Sequence, residues 1–267
     1  MIVAVSGSLR LHIAFLLAGI PAIIPIYCAA GLIIYATYTI DRATGSKEDT
    51  VNKAELSGSN RKIGIAIALF LFVIGAVILA KERIIAAPFV PFLIGGLYSH
   101  GIRLHGHRYS LKGGAGVKNA VIGMTWGGTM AMIVWDCADA IPALAIFMYY
   151  GVKLFCNSVV YDMKDMRGDA AAGIMTIPAS FGVSGSRKML LGASFGLHGM
   201  MAVLLLSGTL RPEWIIMAYS FFSFLVVIGC YNPESELAGS RVQRFIREYF
   251  IDGESAIALL IRYLPGS

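Results

Sequence analysis

From Asn157 the chain reads Asn157-Ser-Val-Val-Tyr161-Asp162-Met-Lys164-Asp165-Met-Arg167-Gly168-Asp169, with Gly173, Thr176 and Pro178 soon after. An amide, a phenol and three carboxylates therefore end an apolar run long enough to cross a bilayer. On a helix, Asp162, Asp165 and Asp169 recur at i, i+3 and i+7, while Asn157, Tyr161, Asp165 and Asp169 step by four, so one face carries them all. A carboxylate beside hydrocarbon is costly unless it meets water, a partner or an ion. Several that converge without a matching number of bases repel one another, and a hard divalent cation such as Mg2+ relieves the repulsion. Mg2+ keeps part of its water shell and shares its other sites with phosphate oxygens, so the pattern predicts a substrate bearing a phosphate or diphosphate.

A second acidic segment also follows an apolar run: Asp41-Arg42-Ala-Thr-Gly45-Ser-Lys47-Glu48-Asp49-Thr-Val-Asn52. Two such clusters on one side of a membrane point to metal ions gripping one diphosphate and stabilising the charge that develops as its carbon-oxygen bond breaks.

These residues need a frame, and composition dictates a membrane one. The 267 residues are 57% hydrophobic and only 14% charged, with a mean hydropathy of +0.72. That composition predicts an all-α, polytopic transmembrane bundle of eight to nine helices, forming a single domain over residues 1–267. Spans are read at about 22–40, 63–80, 84–102, 119–135, 141–160, 189–206 and 214–231, with less regular ones near 1–18 and 249–264. The apolar stretch from Leu11 to Ile40 is too long for one upright helix. Pro21 and Pro25 offer places to break it into a hairpin. A cleaved signal peptide is the weaker reading, because no basic segment precedes the apolar start.

Basic residues are dense between spans two and three, four and five, six and seven, and before the last, whereas the alternate loops hold only Lys81, Arg83 and Arg211. The positive-inside rule puts the dense loops, and both acidic clusters, in the cytoplasm. Topology and attraction to anionic headgroups account for the net charge of +6 without a nucleic acid partner. The scattered Cys28, Cys137, Cys156 and Cys230 are expected as free thiols packed like small apolar residues.

The segment from Asn157 to Gly182 resembles the second aspartate motif of the UbiA superfamily of intramembrane prenyltransferases, with its Asp-x-x-Asp-x-x-Gly-Asp core and following Gly-x-x-Thr-x-Pro. Leu111-Lys112-Gly-Gly-Ala-Gly-Val-Lys118-Asn119, leading to Trp126, is similar to the segment after the family's fourth helix. The first motif departs from the family's Asn-x-x-x-Asp-x-x-x-Asp: Thr37 stands for the asparagine and Gly45 for the second aspartate. An insertion of four residues, about one helical turn, brings Asp49-Thr-Val-Asn52 back into the pattern, with Glu48 as an alternative.

The resemblance implies Mg2+-dependent transfer of an isoprenyl group from a diphosphate donor to a hydrophobic or aromatic acceptor within the bilayer. It implies Asp41, Asp49, Asp162, Asp165 and Asp169 as metal ligands, with Asp41, Asp165 and Asp169 central to catalysis. Arg103, Lys112, Lys118, Lys164 and Asn157 are the expected diphosphate contacts. A terpene cyclase of the same fold is the alternative, and a cation-coupled transporter ranks last because its acidic residues would sit at mid-membrane. Lys153 and Asn157, one turn apart within a span, read as cavity-facing rather than lipid-facing, with packing or snorkelling the alternative for Lys153. Trp126, Tyr149 and Tyr150 read as packing or interface anchors, His105 and His107 as loop histidines, and His12 and His198 carry no signal of their own. Gly123, Gly127 and Gly128 are expected to allow close helix contact. The last segment, with Arg244, Arg247, Asp252 and Glu254, is either an interfacial helix or one whose charges face the bundle.

Overall fold

The leading apolar stretch folds as a helical hairpin, α1 (Ile2–Ala18) and α2 (Ile24–Thr44). In this computed structural model, which describes residues 2–44, 60–94, 102–104, 107–109, 115–171, 175–230 and 241–264, the first arm is helical over 17 residues. The break comes just before Pro21. Gly19 adopts φ +72°, with Ile20 N–H donating to Phe15 O at 2.8 Å and Gly19 N–H to Leu16 O at 3.2 Å. That pair of bonds is a Schellman cap, which a glycine enters without a Cβ clash.

α3 (Asn60–Lys81) ends by the same device, but with Arg83 at φ +66° in the glycine position. The expected span 84–102 needs correction at both ends. After Ile84 the chain makes a 3-10 turn, Ala87–Phe89, which runs into helix at 90–94, and Pro88 in that turn has no N–H to give a regular helix. Ile102–Leu104 is strand β1, paired antiparallel with β2 (His107–Tyr109) in the register Ile102↔Tyr109, Arg103↔Arg108 and Leu104↔His107. Ile102-Arg103-Leu104 alternates with period two, which hydropathy averaging over a long window conceals.

α4 (Val117–Cys137) and α5 (Ala140–Ala171) form the tightest pair. A Cβ at Gly123 would stand 2.4 Å from Gly151 O, and one at Gly127 would stand 2.7 Å from Gly151 N, so these glycines set the approach. Gly128 does not share that role, because a Cβ there meets only a Phe147 ring carbon at 3.9 Å. With 32 residues, α5 is about 48 Å long against a hydrocarbon core of about 30 Å, so its acidic end projects beyond the lipid.

Thr176 then caps α6 (Ile177–Leu206), its Oγ1 accepting from Ala179 N–H at 3.3 Å with Pro178 in the first turn. Gly182, at φ +69° and ψ +170°, kinks this helix. After α7 (Trp214–Cys230), the C-terminal segment comprises α8 (Arg241–Arg247), a π turn (Glu248–Asp252) and α9 (Glu254–Arg262).

Short connections make successive helices antiparallel, so the C-terminal ends of α2, α5 and α7 and the N-terminal ends of α1, α4 and α6 share one end of the bundle. One core cluster joins Phe15, Ile26, Met130, Ile146, Tyr150 and Met201. A second, nearer the acidic end, joins Val159, Met163, Leu190, Val227, Ile246 and Ile251.

Among the described residues, four helical stretches are long and apolar enough to cross a membrane: Ile24–Asp41, Arg61–Lys81, Ala140–Met163 and Ile177–Leu206. Val3–Ala18 and Trp214–Cys230 are shorter apolar helices. α3 turns Ile63, Ile67, Phe70, Val73 and Val77 outward, as a lipid-facing helix does. The chain is an integral, multi-pass, all-α membrane protein with one small β-hairpin. Its four cysteines are free, but only Cys156 is buried, and Cys28 and Cys230 lie on the outer surface rather than packed inside.

Candidate functional site

The acidic end of α5 splits its carboxylates between two environments. Asp162 is 2% exposed. It accepts from Lys118 Nζ at 2.8 Å and from Asn119 Nδ2 at 2.7 Å, and the same amide donates to Ser158 Oγ at 3.0 Å. Lys118 and Asn119 open α4, so this network stitches the starts and ends of the antiparallel pair while the Lys118 side chain stays 39% exposed. Asn119 Oδ1 is buried without a hydrogen-bond partner. Asp165, three residues further, is about 60° around the helix and is exposed. Asn157 is buried on the stripe that leads to it.

The same stripe meets the C-terminal segment. Tyr161 O–H donates to the Asp252 carboxylate, 2.9 Å and 3.0 Å from its two oxygens. The π turn that presents Asp252 leaves carbonyls unpaired within the helix, and three side chains from two neighbouring helices, α1 and α7, serve them. Ser6 Oγ donates to Asp252 O at 2.7 Å, Arg10 Nη2 to Ile251 O at 3.4 Å and Ser223 Oγ to Phe250 O at 2.8 Å. Tyr150 O–H fixes the α1 backbone by donating to Arg10 O at 2.7 Å. Across this spot Tyr38 stacks on Trp126, with ring centroids 5.6 Å apart and planes 2° from parallel. Arg10, Asp41 and Asp252 are all electrostatic neighbours of Tyr38. Residues from α1, α2, α4, α5 and the π turn therefore surround one region, with Asp41 exposed at its rim. Behind Trp126 lies an apolar slot of about 20 Å³ lined by Leu11, Ile33, Leu79, Met130 and Ile133.

Deeper in the bundle, Lys153 does not snorkel. It is 4% exposed and forms an ion pair with Glu254, itself 6% exposed. Its ammonium also donates to Ser220 Oγ and to Tyr149 O–H at 3.3 Å. Tyr149 donates to Ser220 at 2.8 Å, and His198 Nε2 lies 3.1 Å from the same hydroxyl. Asp252 and Glu254 of the last segment thus face the bundle, whereas Arg244 is exposed. His12, likewise silent in the sequence, bridges Tyr27 O–H at 3.0 Å and Tyr263 O–H at 3.1 Å.

Of the residues expected in a site, Asn157, Lys118, Asp162 and Asp165 share the α4–α5 end and Asp41 lies at the end of α2. Arg103 pairs with Arg108 in the hairpin register. Lys164 and Asp169 belong to α5 by backbone, with side chains outside the described residues, as are Asp49 and Lys112 altogether. Arg10, Ser220 and His198 have no sequence signal for these positions, whereas Asp252 and Glu254 stand out only as charges that could face the bundle. The available signal is the four-residue stripe, which extends back from Asn157 through Lys153 to Tyr149, together with charges in otherwise apolar terminal segments.

Among the described residues no three His, Cys, Asp or Glu side chains converge as a metal cage. Mg2+ needs only one or two carboxylates when it shares its shell with water and phosphate. The exposed, hard oxygen donors Asp41 and Asp165 fit that mode.

No family model matches the chain, and no curated protein matches it. Solved structures do. The chain is similar to the apo structure of a UbiA homologue from Aeropyrum pernix K1, with a TM-score of 0.65, 12% identity and 98% of each chain covered. It is also similar to a digeranylgeranylglyceryl phosphate synthase in membranes, with a TM-score of 0.57, 17% identity, and 97% of this chain and 94% of that one covered. The chain has the UbiA-type fold over essentially its whole length.

Proposed function

We propose that the chain transfers an isoprenyl group from an isoprenyl diphosphate to a hydrophobic or aromatic acceptor inside the membrane. The observation that carries this reading is the division of labour on α5 at one end of a UbiA-type bundle. Asp162 is buried and anchors Lys118 and Asn119, while Asp165, one turn on, is exposed. An ordinary solvated helix end has no reason to bury one carboxylate against a lysine and an amide and present the next.

In this scheme Asp41, Asp49, Asp165 and Asp169 hold Mg2+, which when bound supplies charge neutralisation to the departing diphosphate. Asp162, read from the sequence as a further ligand, enters as the anchor of Lys118 and Asn119. Lys118 fixes a positive charge at the mouth, joined by Arg103, Lys112 and Lys164 as diphosphate contacts. The isoprenyl tail lies among the helices. The slot behind Trp126 has room for about one water, so α1, α2 and α4 must part for a tail to enter there. The mouth faces the cytoplasm, the side on which the basic loops lie.

The test is Mg2+-dependent diphosphate release from radiolabelled isoprenyl diphosphates of several lengths by the purified protein in detergent. Asp165→Asn is expected to lower release by about 100-fold or more. Absence of release at every chain length, with a membrane lipid extract supplied as acceptor source, refutes the reading.

A further inference from the structure

We propose that Asp252 is the proton acceptor of the transfer step, an inference that rests on the prenyl-transfer reading above. Capture of a prenyl cation by a hydroxyl or an activated ring carbon leaves a proton that must go somewhere. In the balanced step, the C1–O bond of the donor breaks and its electron pair leaves with the diphosphate. The acceptor's oxygen or carbon supplies the pair for the new bond to C1, and the O–H or C–H proton passes to an Asp252 carboxylate oxygen. The acceptor class is therefore a protic nucleophile, one that carries a hydrogen on the atom that is alkylated.

Three observations single out Asp252. The first is its partner. Asp162, Glu254 and Glu213 are each bonded directly to a cation, Lys118, Lys153 and Arg262 respectively. Asp252 instead accepts from a neutral phenol, Tyr161, and Arg10, Arg247 and Glu248 act on it only as electrostatic neighbours. A carboxylate bonded to a neutral hydroxyl is a better base than one bonded to an ammonium.

The second is its depth. Tyr161 lies one helical turn, about 6 Å, inward of Asp165. A diphosphate held at the acidic turn would direct its C1 toward that level. The third is the manner of presentation. A five-residue π turn is an uncommon backbone, and here Ser6, Arg10 and Ser223 from two helices satisfy its carbonyls. The turn is thereby fixed against α1, α5 and α7, with the Asp252 carboxylate on the Tyr161 hydroxyl and an electrostatic neighbour of Tyr38, which stacks on Trp126.

The experiment uses the full chain in detergent with Mg2+, radiolabelled geranyl, farnesyl and geranylgeranyl diphosphates, and a total membrane lipid extract as acceptor source. Diphosphate release and labelled product other than prenyl alcohol are measured separately. Asp252→Asn keeps an oxygen for Tyr161 and is expected to lower product about 100-fold while release stays within roughly threefold of the parent. Asp252→Ser serves the same purpose if the amide variant does not fold, and Asp252→Glu restores most of the product.

Equal loss of product and release in Asp252→Asn, or full retention of both, overturns the assignment. So does Tyr161→Phe if it matches Asp252→Asn, since that variant keeps the carboxylate. A parent protein that releases diphosphate but yields only prenyl alcohol from every donor makes no transfer to an acceptor and overturns the prenyl-transfer reading together with this proposal. One that releases none overturns the prenyl-transfer reading on which it rests.

Discussion

Removing the Lys153 ammonium tests whether the deep ion pair holds the C-terminal segment in place. Lys153 and Glu254 are both buried, and Lys153→Met takes away the ammonium from which the Glu254 carboxylate accepts. Breaking a buried pair from one side leaves an uncompensated charge and costs about 3–5 kcal/mol. Since 1 kcal/mol shifts Tm by about 2–4 °C for a chain somewhat smaller than this one, Lys153→Met is expected to lower Tm by roughly 6–20 °C. The double variant Lys153→Met with Glu254→Leu removes both charges at similar volume and is expected to recover most of that loss. The assay is thermal unfolding of the purified protein in one detergent, followed by fluorescence of Trp126, Trp135 and Trp214. A Tm unchanged in Lys153→Met refutes the argument, and so does a double variant no more stable than the single one, because the cost would then lie in packing rather than in the stranded carboxylate.

The α4–α5 contact predicts an asymmetry among glycines. Gly127→Ala, whose Cβ would press on Gly151 backbone at 2.7 Å, should cost about 1–3 kcal/mol, whereas Gly128→Ala and Gly151→Ala, with nearest atoms at 3.9 Å and 3.7 Å, should be tolerated in the same melting assay. Arg83→Gly relieves a left-handed residue at the end of α3 and should stabilise by roughly 0.5–1 kcal/mol after the added chain entropy of glycine is subtracted. Asp162→Asn should lower both Tm and diphosphate release, because Lys118 and Asn119 lose their anchor. Asp165→Asn should lower release with Tm unchanged, and a matching pair of responses would refute the division of roles.

Much of the bundle is visible in the chain because a bilayer requires long apolar helices, and those leave a local signature. The hairpin break beside Pro21 and the acidic stripe on α5 are of this kind. The Lys153–Glu254 pair is not, since its members are 101 residues apart and neither one's neighbours reveal the other. Asp162 and Asp165 illustrate a subtler limit. Spacing puts both on one broad face, but about 60° of rotation decides which meets α4, and that depends on how close Gly123 and Gly127 let the helices come. The β-hairpin leaves no such signature, because three-residue strands are too short to shift an average taken over a span.

The bonds between α1 and the last segment also impose an order in time. Ser6 waits for Asp252, 246 residues later, as Arg10 waits for Ile251 and His12 for Tyr263. At 5–20 residues per second the ribosome needs roughly 12–50 s to make that interval. Throughout it, the first helix stands in the membrane with Ser6 and Arg10 lacking these late partners and His12 holding only the earlier of its two, Tyr27. The ring of helices therefore cannot close until synthesis is nearly finished, and a truncation that removes the last two dozen residues would strand the polar groups of the first.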